Sequence, residues 1–327
     1  MRILITGGAG FIGSHLAEAL LAKGEEVYII DDLSTGSMMN IVHLQNSPEF
    51  KSKLFFYEDT ILNEDKMVEL IGICDVVFHL AAAVGVRYIL DNPLKSIKIN
   101  IQGTEKILEL CAKFKKKVLI ASSSEVYGKH LHAPLVETDN IIYGPSSKFR
   151  WSYAASKLID EFTGIAYHRM HDLFIVITRL FNTVGPRQTG AYGMVIPRFM
   201  KQALNNEPIT VYGDGRQTRT FTHVRDVVNA LILLIENNKS NGEVFNIGGT
   251  EEISMKSLAE RIIEQTKSQS TIQLIPYEQA FAKDFEDMQR RVPSIDKLSY
   301  YTGFKPELSL STILEEVEAY MRQNNRF

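Results

Sequence analysis

Short runs of β-branched and aromatic residues alternate along the chain with longer stretches whose apolar positions recur at helical spacing. Strands are predicted near 2–6, 26–30, 53–57, 75–80, 117–122 and 174–178, each followed by a helix or loop. That alternation implies an α/β fold, a doubly wound parallel sheet covered by helices on both faces. A further strand-like run, Val244-Phe-Asn-Ile247, follows the helical stretch 224–236 and is placed as a seventh strand, so that the lobes interleave in sequence. From about Phe181 the pattern turns irregular. Gly185-Pro186, Gly213-Asp-Gly215, Gly248-Gly249 and Pro293 punctuate shorter helices there, 254–266 and 309–325 among them. Residues 1–180 are read as the sheet domain, with 223–248 returning to it, and 181–327 as a smaller C-terminal substrate-binding lobe.

The glycines say what the sheet carries. The first strand runs straight into Thr6-Gly-Gly-Ala-Gly-Phe-Ile-Gly13 and then a helix. Gly7, Gly10 and Gly13, with Phe11 and Ile12 opening the helix, let a dinucleotide's pyrophosphate approach the helix N-terminus, as in a Rossmann sheet. Strand two ends at Asp31, placed to accept hydrogen bonds from the adenosine ribose and to repel a 2′-phosphate. The cofactor expected is NAD rather than NADP. Asp59 and Thr60 follow the third strand and Leu80, Ala81 and Ala82 the fourth, at the carboxyl ends where open α/β sheets bind ligands. They are candidate adenine and ribose neighbours, with simple close packing the competing reading for Ala81–Ala83.

Ser123, Glu125, Tyr153 and Lys157 lie downstream of that turn and together describe a hydride-transfer site. Tyr153 and Lys157 stand four apart in a stretch with helical patterning, so their side chains leave one helix face. Free tyrosine titrates near ~10, and a neighbouring ammonium together with an oxidised nicotinamide ring would bring it toward neutrality as a base.

Composition narrows the alternatives. The net charge of −3 gives no electrostatic footprint for nucleic acid or an anionic membrane, and no apolar run approaches the ~20 residues that span a bilayer. Cys74 and Cys111 belong to no CxxC pair or Cys/His cluster and are expected as buried, reduced thiols. The chain opens directly on a strand, which points to a cytoplasmic location. Eight scattered histidines suggest no metal site; His79 and His223 are read as packed or capping, Trp151 as a core anchor and Tyr127 as packing near the site entrance.

Over nearly its whole length the sequence resembles the extended short-chain dehydrogenase/reductases that act on nucleotide sugars. The resemblance rests on TGGAGFIG at 6–13, DDLSTG at 31–36, HLAA at 79–82, SSSEVYG at 122–128, YAASK at 153–157, RLFNTVGPRQ at 179–188 and VYGDGRQTRTFTHVRD at 211–226. It implies that Tyr153 is the general base at a sugar hydroxyl, that Lys157 holds the nicotinamide ribose and that Ser123 bonds the same hydroxyl. It also implies that Asn182, Arg219 and Arg291 contact the diphosphate or sugar. Arg290 and Arg291 are adjacent, which leaves that register open.

The shared chemistry of the family begins with oxidation at C4 to a 4-keto sugar, and residues 123–125 report on the fate of that ketone. Where 4,6-dehydratases resemble Thr-Asp-Glu, this chain has Ser124 in place of the protonating acid; where UDP-galactose-type 4-epimerases carry a small residue, it has Glu125. Ser-Glu before Val-Tyr-Gly, with Arg150-Trp151 ahead of Tyr153, looks like the UDP-glucuronate decarboxylases. Gly85-Val-Arg-Tyr88 with Asn92-Pro93 looks instead like the UDP-glucuronate 4-epimerases, and Arg87 is a candidate partner for a uronate carboxylate. The expected activity is decarboxylation of UDP-glucuronate or a related UDP-hexuronate. The alternatives are a UDP-sugar 4-epimerase, a 4,6-dehydratase, or a catalytically silent dinucleotide sensor. Apolar residues beyond the sheet-facing stripe of the helices near 93–115 and 149–170 (Ile107, Leu110, Ile159, Phe162) suggest a helix-mediated homodimer, as the resemblance also implies.

Overall fold

The computed structural model describes residues 1–85, 89, 91–130, 132–190, 194–280 and 288–324, with Arg150, Glu278 and Ala280 described by their backbone alone. Among these, β1 (Arg2–Thr6), β2 (Glu26–Asp31), β3 (Leu54–Glu58), β4 (Val76–His79), β5 (Lys117–Ser123), β6 (Ile175–Leu180) and the strand Glu243–Ile247 form one parallel sheet. Their order across it is Glu243–Ile247, β6, β5, β4, β1, β2, β3. The chain winds outward from β1 through β2 to β3, then returns to place β4 on the other side of β1. Their facing ends, Thr6 opposite His79 in register, diverge into a crevice of the kind in which open α/β sheets bind ligands.

Strand alternation divides the apolar residues between two layers. Ile3 and Ile5 pack with α1 (Phe11–Ala22) and the helix Val224–Glu236 on one face. Leu4 and Ile30 pack on the other with α3 (Glu64–Ile73) and α4 (Pro93–Phe114), while α2 (Val42–Asn46) covers the edge near β2. Local signals set the ends of these helices. Asn63 caps α3 by accepting from Lys66 N–H, and Pro93 opens α4, where its missing N–H leaves no bond unmade. The long helix α5 (Arg150–His171) lies against α4 and carries Tyr153 and Lys157 across the top of β5.

A smaller core of its own, from Val184 through Phe199, Leu258 and Ile313 to Met321, gathers the helices Val195–Leu204, Met255–Thr266 and Leu310–Gln323. Short strands tie this lobe together. Thr218–Thr220 sits between Glu252–Ser254 and Arg290–Arg291, with Arg291 in register with Arg219. The strand Glu243–Ile247 leaves this lobe's sequence and lies beside β6, as expected of a seventh strand. Cys74 and Cys111 are buried free thiols.

Candidate active site

At the end of β1 the backbone turns so tightly that side chains are excluded. Gly7 has φ +72°, and a Cβ there would lie 2.8 Å from the Ala81 nitrogen; one on Gly13 would lie 2.3 Å from the Gly7 oxygen. Gly10 caps α1 without any side-chain hydrogen bond, so nothing but backbone covers the first-turn N–H groups. Phe11 and Ile12 pack down onto the core beside β1. Asp31, 8% exposed, accepts from Ala9 N–H and Leu33 N–H, both at 2.9 Å, so it pins the glycine turn as well as ending β2. Burial raises its pKa, and those backbone bonds oppose the rise. A bare backbone cradle beside a carboxylate suits the pyrophosphate and ribose of NAD, so the residues present fit the cofactor expected from the sequence.

The other cofactor candidates flank this cradle. Leu80 N–H donates to the Thr6 carbonyl and Ala81 N–H to the Thr6 hydroxyl, while Ala82 continues the same partly exposed edge. Asp59 accepts from Thr60 N–H and from the Asn63 amide, both at 2.7 Å, at the end of β3. The two residues therefore close the turn into α3 with part of their surface open.

Across the crevice, Ser123 ends β5 and accepts from Glu125 N–H at 3.2 Å, which begins a short 3-10 turn over Ser124–Tyr127. The Tyr153 phenol faces Ser123, so the structure brings the expected serine and tyrosine together. Its surroundings push the phenol well above its usual value: burial first, then the Glu125 carboxylate, with the Ser123 hydroxyl opposing and Asp160 adding to the rise. Lys157 is buried on the same helix face, but its ammonium donates to Asp160 at 3.3 Å. The lowering of the phenol expected from an adjoining cation is therefore not produced by the protein groups in this arrangement.

The lobe supplies a basic wall. Glu125 is ion-paired with Arg291, whose Nη2 donates to Asn182 Oδ1 at 3.3 Å; Asn182 in turn donates to the Thr220 carbonyl at 2.8 Å. Arg290 instead forks onto Glu252 at the surface, both bonds 2.7 Å, so the two adjacent arginines turn to different partners. Arg219 is 5% exposed and donates to the Thr218 carbonyl at 2.7 Å rather than standing in an exposed ion pair. Ser124 is buried beneath the turn. Arg87 and the side chain of Arg150 lie outside the described residues.

Sequence reasoning missed the polar layer under the site. Ala81 N–H donates to the Thr6 hydroxyl, Thr6 bonds His79 Nδ1 at 2.7 Å, and His79 Nε2 bonds Thr104 at 3.0 Å. Burial, then the Lys157 charge, lowers the His79 pKa to about 3, so the ring is neutral and its tautomer is set by this chain of bonds. Asn100 clamps Ala83 through both its oxygen and its nitrogen and also bonds Ser156 on α5. Glu161 takes a fork from Arg179 at 3.0 and 2.7 Å and a bond from Ser122. The available signal was the polar set Asn100, Thr104, Asp160 and Glu161 at i, i+3 or i+4 on otherwise apolar helix faces. Tyr127 is fully buried with its hydroxyl on Asn246, a correction to its placement at the entrance; Trp151 is 4% exposed against Tyr143, a core anchor as expected.

Comparison with known proteins agrees with this geometry. The family model described as GDP-mannose 4,6 dehydratase matches residues 4–317. The UDP-N-acetyl-alpha-D-glucosaminuronate decarboxylase of Bacillus cytotoxicus is 41% identical over 98% of both chains. UDP-glucuronic acid decarboxylase 1 of Arabidopsis thaliana is 36% identical over 95% of this chain and 67% of its own. The crystal structure of UDP-glucuronic acid 4-epimerase from Bacillus cereus, in complex with UDP-glucuronic acid and NAD, superposes with a TM-score of 0.88 at 33% identity, covering 99% of this chain and 100% of that one. The glycine cradle, the juxtaposition of Ser123 and Tyr153 and these matches along nearly the whole of this chain lead to one assignment: the chain belongs to the GDP-mannose 4,6-dehydratase family of extended short-chain dehydrogenase/reductases, enzymes of nucleotide sugars.

Proposed function

We propose that this protein is an NAD-dependent decarboxylase of a UDP-hexuronate, UDP-glucuronate or its 2-acetamido counterpart, working through a 4-keto intermediate. The observation that carries the reading is Arg291 held between Glu125 and Asn182 beside Tyr153. A guanidinium whose partner is already a carboxylate at the reacting end of the site is built to exchange that partner for a substrate carboxylate. Ser124 cannot supply the acid that a departing 6-hydroxyl would need. The reading is further supported by the two decarboxylases similar over at least 95% of this chain.

Tyr153, with Ser123 beside it, takes the proton of the C4 hydroxyl. When bound, NAD supplies the acceptor for the C4 hydride and later returns it. The C4 ketone lies β to the C6 carboxylate, so the C5–C6 bond can break with its electron pair moving into an enolate as carbon dioxide leaves. Glu125, released by Arg291 to the substrate carboxylate, would take up a proton from water and deliver it to C5, and Tyr153 gives its proton back to the C4 oxygen as the hydride returns. Residues 1–180 with 223–248 would carry the cofactor, and the rest of 181–327 the nucleotide sugar, with Arg219 and Asn182 facing its diphosphate. The two free buried thiols suit a reducing, cytoplasmic compartment.

A second reading, UDP-glucuronate 4-epimerase, is favoured by the superposed Bacillus cereus structure. Incubating the protein with NAD and either UDP-glucuronate or UDP-N-acetylglucosaminuronate decides between them by mass and retention. Loss of one carbon dioxide is expected. Unchanged mass with altered retention would make it an epimerase, and loss of water a dehydratase.

A further inference from the structure

Lys157 does not stand alone at the base of the site. Its ammonium, 3% exposed, lies 3.3 Å from Asp160, 2% exposed and one helical turn further along α5. Thr104 of α4 lies beside Asp160, with its own hydroxyl donating to the Asn100 carbonyl at 2.7 Å. From Thr104 the chain of bonds runs through His79 at the end of β4 to Thr6 at the end of β1, and from there to the N–H of Ala81. The charged and titratable groups facing this carboxylate are Lys157, Glu161 and Tyr153 on its own helix; His79 on β4 faces Lys157, and Glu125 on the turn after β5 faces Tyr153.

We propose that Asp160 is a positioning residue for the hydride-transfer site: it holds and countercharges Lys157, packed beside the Thr104–His79–Thr6 bonds that tie α4 to the ends of β4 and β1. This rests on the reading of Tyr153 and Lys157 as the reacting pair. Two physical consequences set the test. Without the carboxylate, a buried ammonium loses its only ionic partner among the described residues and is left without a countercharge. Tyr153 simultaneously loses a nearby negative charge, so its phenol ionises more readily.

The first experiment needs no substrate. Melting temperatures are measured for the wild type, Asp160→Asn, Lys157→Met and the double variant. Asp160→Asn and Lys157→Met should each melt below wild type at pH 7, since each leaves a buried group without its ionic partner. The double variant, which buries no unpaired charge, should melt above both singles. A double deficit equal to the sum of the singles would overturn the proposal. The second experiment measures turnover of UDP-glucuronate with NAD against pH. Asp160→Asn should move the limb set by Tyr153 about one unit to lower pH, the size of effect one neighbouring charge produces, and Asp160→Glu should move it back. An unmoved profile in Asp160→Asn, with Tyr153→Phe inactive, sinks the positioning role and leaves the reacting pair intact. Full activity of Tyr153→Phe would instead sink the pair itself.

Discussion

A single side chain at this site carries meaning only through its partners. Arg291 is held by Glu125 on one side and Asn182 on the other, so its guanidinium is oriented before any substrate arrives. Replacing it with Gln removes charge-assisted bonds that are worth ~1.5–3 kcal/mol each, so kcat/KM for UDP-glucuronate should fall about 10- to 100-fold. Steady-state kinetics would show it, with most of the loss in KM if the arginine receives the substrate carboxylate. His79 makes the opposite point, a titratable group kept from titrating. Its folded pKa of about 3 lies below the unfolded value near 6.5, so the unfolded chain takes up a proton that the folded chain refuses. Stability is therefore complete above about pH 6.5 and drains away as pH falls toward 3, by about 2 kcal/mol at pH 5. Denaturant melts of wild type and His79→Asn across pH 4.5–7.5 should differ by about one proton in slope, with the variant shallower. Ser123, Glu125, Tyr153 and Lys157 were legible as residue types at fixed spacing; that Lys157 faces Asp160 was not, because which neighbour a long side chain meets depends on how α5 lies on α4.

Elements fix these residues in place. The turn between β1 and α1 works because its backbone strands approach one another at distances that admit no Cβ. At Gly13 the obstructing atoms are the Gly7 oxygen and the Gly8 Cα, which are backbone and cannot swing aside. Gly13→Ala is therefore expected to cost about 1–3 kcal/mol of stability, the size of an overpacking penalty, and to abolish NAD binding measured by calorimetry. Retention of wild-type affinity would mean that the cradle is not where the pyrophosphate sits. The strands and helices themselves could be read along the chain to within a residue or two: β1 was expected over 2–6 and spans Arg2–Thr6, and the helix expected over 254–266 spans Met255–Thr266. Period and capping are local properties. The short strands at Thr218–Thr220 and Arg290–Arg291 are not, since three or two residues carry no periodicity and gain their shape from pairing across about 70 positions of sequence.

The whole molecule adds an unpartnered face. On α4 and α5, Leu94, Ile159, Phe162 and Met170 are 76%, 43%, 63% and 77% exposed, whereas Ile107 and Leu110, expected on the same outer face, are buried in the core between sheet and helices. An apolar stripe shared by two long helices suits a self-complementary two-fold contact. Wild-type protein is expected to run as a dimer in light scattering at micromolar concentration, and Phe162→Asp as a monomer; a monomeric wild type would end that idea. The sequence by itself determined the sheet, its winding, the glycine turn after β1 and the spacing that sets Tyr153 and Lys157 on one helix face, because hydrophobic period, backbone sterics and side-chain chemistry are written residue by residue. Only the tertiary structure decided which arginine meets Glu125, that the Lys157 ammonium turns to Asp160 and that His79 links β1 to α4. Those outcomes depend on distances between segments far apart in the chain, and hydrogen bonds and ion pairs lose their strength within an ångström or two of the wrong place.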